Sequence, residues 1–117
     1  MDKILISNNK NDVEFFLNTY ILGVLTALIN KKINTDDIQK LLFRPGIIEY
    51  LTKLGIDKQY IHIILAGTEL EDIESLIPAN LHQETLKLID ICLNNFNDMY
   101  LEDNIYIGID IKDHKLS

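Results

Sequence analysis

The 117-residue chain is the length of one domain, and its 47% hydrophobic content exceeds that of a disordered tail. A single cysteine, Cys92, excludes an internal disulfide and agrees with a reducing compartment. The net charge of −7 is uneven: residues 1–66 hold seven acids against eight bases, residues 67–117 eleven against three, so the second half carries −8 and the first +1. An acidic field of that kind repels nucleic acid and attracts basic partners.

Lys3 to Ser7 (KILIS) is a short apolar run that reads as an edge strand. Met1 to Lys10 contains no apolar block of signal-peptide length and no small-residue cleavage site, so the expected location is cytoplasmic. Asn11 offers a helix N-cap, with Glu14 at the capping-box position. From Val13 to Ile29 the pattern predicts a helix that is apolar on nearly every side. Its stretch from Phe15 to Ile29 carries no charge but spans 15 residues, against about 20 for a membrane span, and includes Asn18, Thr19, Gly23 and Thr26. The reading is a central helix surrounded by others. Gly23 either permits a close helix crossing or is a tolerated small residue.

Asn30, Lys31 and Lys32 suit a helix C-terminus. Asn34 or Thr35 starts a second helix, with Asp36 and Asp37 in its first turn and Ile38, Leu41 and Leu42 as its apolar stripe; Arg44-Pro45-Gly46 breaks it. A third helix is expected from Ile47 to Leu54, ended by Gly55. Asp57 caps a fourth from Lys58 to Ala66, ended by Gly67. In the stretch Gly67 to Pro78 (GTELEDIESLIP), Thr68 and Glu71 have the spacing of a capping box and Pro78 forbids continuation, predicting a fifth helix from Glu69 to Ile77. Helical steps place Leu70, Ile73, Leu76 and Ile77 on one arc and Glu71, Asp72 and Glu74 opposite. Asn80 with Gln83 is a candidate cap for a sixth helix from Leu81 to about Tyr100.

The period then changes. Ile105, Ile107, Ile109 and Ile111 alternate with Tyr106, Gly108 and Asp110, which predicts a short C-terminal β-strand. Its candidate partners are the Lys3–Ser7 run or another chain, including a second copy. The predicted fold is therefore mainly α, a compact single domain over residues 1–117 of about six helices, with a C-terminal strand paired to an N-terminal one.

The acidic cluster Glu69, Glu71, Asp72 and Glu74 admits three readings: dipole stabilisation of a helix start, a surface for a basic partner, or metal and acid–base chemistry. His62, His82 and His114 lack short metal-ligand spacing, and no cofactor or metal site is expected. His62, among Ile61, Ile63 and Ile64, reads as half-buried and structural, and His82 as exposed. Cys92 falls on an apolar helix side, where a buried inert thiol is expected. The five glycines form no phosphate loop, and no serine stands in a nucleophile elbow. Asp98, Glu102, Asp103 and Asn104 make a second acidic patch without the pattern of a calcium loop.

The segment Leu65 to Pro78 (LAGTELEDIESLIP), preceded by helices from Asp37 through Ile64 in similar order, resembles the signature stretch of a family of small, functionally uncharacterised bacterial proteins. The resemblance spans residues 11–100 and implies a bacterial cytoplasmic protein. By general character, not by motif, such small acidic proteins are also similar to immunity proteins of toxin–immunity pairs.

The function expected from these readings is a non-catalytic binding module, an immunity protein that neutralises a basic toxin such as a nuclease by occlusion. Glu69, Glu71, Asp72 and Glu74, with Glu102 and Asp103, are the expected contact residues. Neither nucleic acid nor membrane is expected as a partner. The alternatives are a small metal-dependent or acid–base enzyme using Glu71, Glu74 and a histidine, or a homodimeric regulatory protein joined through the Ile105–Ile111 strand.

Overall fold

The computed structural model describes residues 10–42 and 46–101. The chain forms helices α1 (Lys10–Ile29), α2 (Thr35–Leu42), α3 (Ile47–Lys53), α4 (Lys58–Thr68), α5 (Leu70–Leu76) and α6 (Leu81–Asn95). Short 3₁₀ turns, Pro78–Asn80 and Phe96–Asp98, flank α6. Only Glu69 separates α4 from α5, and it keeps a right-handed helical conformation (φ −76°, ψ −10°). Taken as one interrupted helix, these two leave five helices, and the described residues contain no β-strand. The expectation of six helices closed by a terminal strand pair is corrected accordingly. Both expected strands, Lys3–Ser7 and Ile105–Ile111, lie outside the described residues, as do Arg44 and Pro45 of the expected break after α2.

The miscount has a physical source at Gly67. A glycine ends a helix by entering the left-handed region, as Gly55 does after α3 at φ 79°. There the amide of Gly55 donates to the Thr52 carbonyl and that of Ile56 to the Leu51 carbonyl, with Ile56 and Leu51 both buried. Gly67 instead stays inside α4. A Cβ there would lie 3.1 Å from Leu42 Cδ1, so the missing side chain lets α2 approach α4.

The core is drawn from every helix, with α1 contributing Val13, Ile21, Val24, Leu25 and Leu28. α1 packs on α6, α2 and α4. It is not enclosed on all sides, as its composition suggested: Thr19, Gly23 and Thr26 face solvent. Three of its polar residues turn inward. Asn18, fully buried, donates from Nδ2 to the Cys92 carbonyl at 2.9 Å and accepts from Asn95 Nδ2 at 3.1 Å. That carbonyl belongs to the last turn of α6, where helix carbonyls lose their in-helix donors. Phe15 and Phe96 meet edge to face, with centroids 5.2 Å apart, a geometry that aromatic quadrupoles favour. Glu14 does not cap its own helix. Its buried carboxylate accepts from the Asp57 amide at 2.8 Å, at the start of α4, while Lys10 Nζ donates to Asp57 Oδ1 at 2.8 Å. That hydrogen bond holds the Lys10 amine above its ordinary range. Asp12, the third, is also buried.

α2 begins with the reciprocal cap that its sequence permits. The Asp37 amide donates to Asn34 Oδ1 at 2.8 Å, and the Asn34 amide donates to Asp37 Oδ2 at 3.0 Å. Asn34 is thus the capping residue.

Candidate functional site

The acidic stretch is held from behind by α2. Thr35, buried at the start of that helix, donates its hydroxyl to Glu74 Oε1 at 2.6 Å. One turn on, Gln39 Nε2 donates to the Thr68 carbonyl at 2.8 Å. This second bond supports the chain where α4 gives way to α5. The sequence marked Thr35 only as a candidate helix start and did not mark Gln39, because a lone hydroxyl or amide on a short helix has no spacing signature for a distant partner. The expected capping box does not form. Thr68 closes α4, with its hydroxyl donating back to the Leu65 carbonyl, and no side chain caps α5.

Leu70 is fully buried and Ile73 partly so, which anchors the inner side of α5. Leu76 and Ile77, expected beside them, are 79% and 54% exposed. Six residues of helix rotate Leu76 about 120° away from Leu70, so the packed stripe runs out before reaching it. Ile77 precedes Pro78, and the proline ring disfavours the helical conformation for the residue before it. Ile77 accordingly leaves the helix at φ −140°, ψ 69°.

Glu69, Glu71 and Asp72 are exposed, and no ion pair joins them to any described residue. Leu76 lies one turn beyond Asp72, so the outward arc carries an apolar side chain bordered by free carboxylates. Glu74 is different: its hydrogen bond to Thr35 commits it to positioning the helix. The other two expected contact residues, Glu102 and Asp103, lie outside the described residues, as do Asn104 and His114. Asp98 is exposed in the 3₁₀ turn after α6, apart from α5 in sequence.

No three of the His, Cys, Asp and Glu residues gather in a metal-binding group among the described residues. His62 is exposed, against the half-buried place expected for it: its isoleucine neighbours face inward while it faces water. His82 is exposed, as its place in the first turn of α6 suggested. Cys92 is fully buried, and burial pushes its thiol up to about 11, which withholds the thiolate needed for nucleophilic chemistry at neutral pH. By length and composition α1 could cross a membrane, and less than half of its apolar stretch is buried.

Comparison with curated proteins and with solved structures finds no match. A family model does match, over residues 8–106, most of the chain. The chain therefore belongs to the family described as "Protein of unknown function (DUF3969)".

Proposed function

We propose that this protein is a non-catalytic binding module that captures a basic protein through the outward arc of α5. Within that class we read it as an immunity protein that acts in the cytoplasm and blocks a basic toxin, such as a nuclease, by occlusion. The observation that carries the reading is Leu76, 79% exposed beside carboxylates that no cation neutralises among the described residues. Protein interfaces combine a desolvated apolar anchor with a charged rim that sets encounter and orientation. Full burial of a leucine side chain is worth about 1.5–3 kcal/mol. Glu69, Glu71 and Asp72 supply long-range attraction for lysines and arginines, reinforced by the −8 charge of residues 67–117, which include Glu102 and Asp103.

The experiment is affinity capture from the native cell with the tagged full-length chain, beside Glu71→Lys/Asp72→Lys and Leu76→Ser variants. These positions are exposed, so the variants should fold. The reading predicts a basic protein recovered stoichiometrically by the parent chain and lost from both variants. Equal recovery by all three would remove α5 as the contact surface. A captured partner of acidic charge would remove the electrostatic mechanism.

A further inference from the structure

We propose that Thr35 is a positioning residue for the contact surface on α5: through Glu74 it fixes the direction of the last turn, which carries Leu76. The consequence for binding rests on the reading of α5 given above, whereas the anchoring itself does not.

α2 meets the corner between α4 and α5 with one side. Thr35, Gln39 and Leu42 stand four and three residues apart, within about 60° of one another around the helix. They reach successive points of the corner. Leu42 Cδ1 stands 3.1 Å from where a Gly67 Cβ would be. Gln39 Nε2 donates to the Thr68 carbonyl at 2.8 Å, and the Thr35 hydroxyl donates to Glu74 Oε1 at 2.6 Å. α2 therefore runs as a splint across Glu69, the single residue that separates the two helices.

The splint matters because α5 does little to hold itself. It has seven residues, and no side chain caps its start. A helix shorter than about 12 residues is marginal on its own in water, so its course is set by what it packs on. Leu70 is fully buried and Ile73 partly so, and both belong to the first four residues of α5. Glu74, Ser75, Leu76 and Ile77, which follow, are all exposed. Among the described residues, the Thr35 hydroxyl makes the only side-chain hydrogen bond or ion pair that reaches these four from another helix. The Ile77 amide donates to the Ile73 carbonyl at 2.8 Å, and the Asn80 amide to the Ile77 carbonyl at 2.9 Å. Those local bonds fix the shape of the turn but not its direction relative to α2.

Thr35 is free for this task because Asn34 caps α2, accepting from the Asp37 amide at 2.8 Å. Its hydroxyl is buried, and a carboxylate acceptor makes the bond stronger than a neutral one would. Thr35→Val keeps the shape and removes the bond, while exposed Glu74 returns to water. The fold as a whole loses little, and the last turn of α5 loses its one tie to α2.

Residue-resolved hydrogen exchange on the full chain tests the anchoring without a partner. Thr35→Val should speed exchange of the Ser75, Leu76 and Ile77 amides about two- to tenfold, the range that one hydrogen bond spans. Exchange at Ile21 and Leu25 in the core of α1 should stay at the parent's rate. Thr35→Ser retains the hydroxyl, and Glu74→Gln retains an acceptor oxygen without the charge, so both should exchange as the parent does at these three amides. With the basic protein recovered by affinity capture, Thr35→Val should dissociate faster by a similar factor and Thr35→Ser should restore the parent's rate. Association should keep its salt dependence in both, because no charge changes. Exchange in Thr35→Val that matches the parent would overturn the proposal. So would faster exchange with an unchanged dissociation rate, which would leave Thr35 a structural residue only. Recovery of no basic protein would remove the proposed function and leave exchange alone to decide the anchoring.

Discussion

Asn18, fully buried, ties α1 to α6 with two hydrogen bonds, one to the buried Cys92 carbonyl and one from the partly buried Asn95. Asn18→Leu keeps much of the volume and leaves the Cys92 carbonyl and the Asn95 amide without this partner. A buried unsatisfied polar group costs about 1–3 kcal/mol, and urea unfolding of the variant should show a loss of that size with little change in slope. Cys92 makes a pH-dependent contribution. Its folded pKa of about 11 exceeds the ordinary 9.0, so the unfolded chain loses this proton first on raising the pH. The contribution is fully present below about 9 and is lost as pH rises from 9 towards 11. Stability measured over that window should fall with pH, and Cys92→Ala should flatten the part due to the thiol. Tyr60, also raised by burial, adds its own loss at the alkaline end. The buried thiol was legible from the helical spacing around Cys92. The role of Asn18 was not, because a polar residue in an apolar stretch shows its partner only after the helices pack.

Among the elements, α5 is set by α4 before it and α2 behind it. The local sequence around Gly67 suggested a stop and a fresh start, while tertiary packing made glycine a point of close approach between α2 and α4. Gly67→Val should therefore destabilise by about 1–3 kcal/mol through overpacking against Leu42, despite removing a glycine from a helix. Chemical denaturation would measure it, and a stabilised variant would show that α2 yields freely. The boundaries of α2 and α3 were close to readable, since Asn34, Asp37 and Gly55 act through local backbone geometry. The inner and outer sides of α5 were read correctly at Leu70, Glu71 and Asp72 and wrongly at Leu76 and Ile77. A helical wheel orders residues around an axis but does not say how wide the neighbouring helices reach. Glu74 is exposed as its place on the polar arc suggested, and what the sequence did not show is that α2 brings the Thr35 hydroxyl to its carboxylate.

For the whole molecule, the helical class followed from apolar periodicity and punctuation, whereas the predicted strand pair finds no counterpart in the described residues. Charge asymmetry was fully visible in the sequence, and the fold adds that Glu69, Glu71 and Asp72 make no ion pair among the described residues, with exposed Leu76 one turn beyond Asp72. The most direct test of the binding account is the association rate of the captured partner, followed by stopped flow at low and high salt. Electrostatic capture predicts a rate that falls steeply with ionic strength for the parent, and a slower, nearly salt-independent rate for Glu71→Lys/Asp72→Lys. A charge-reversed chain with the parent's rate and salt dependence would contradict it.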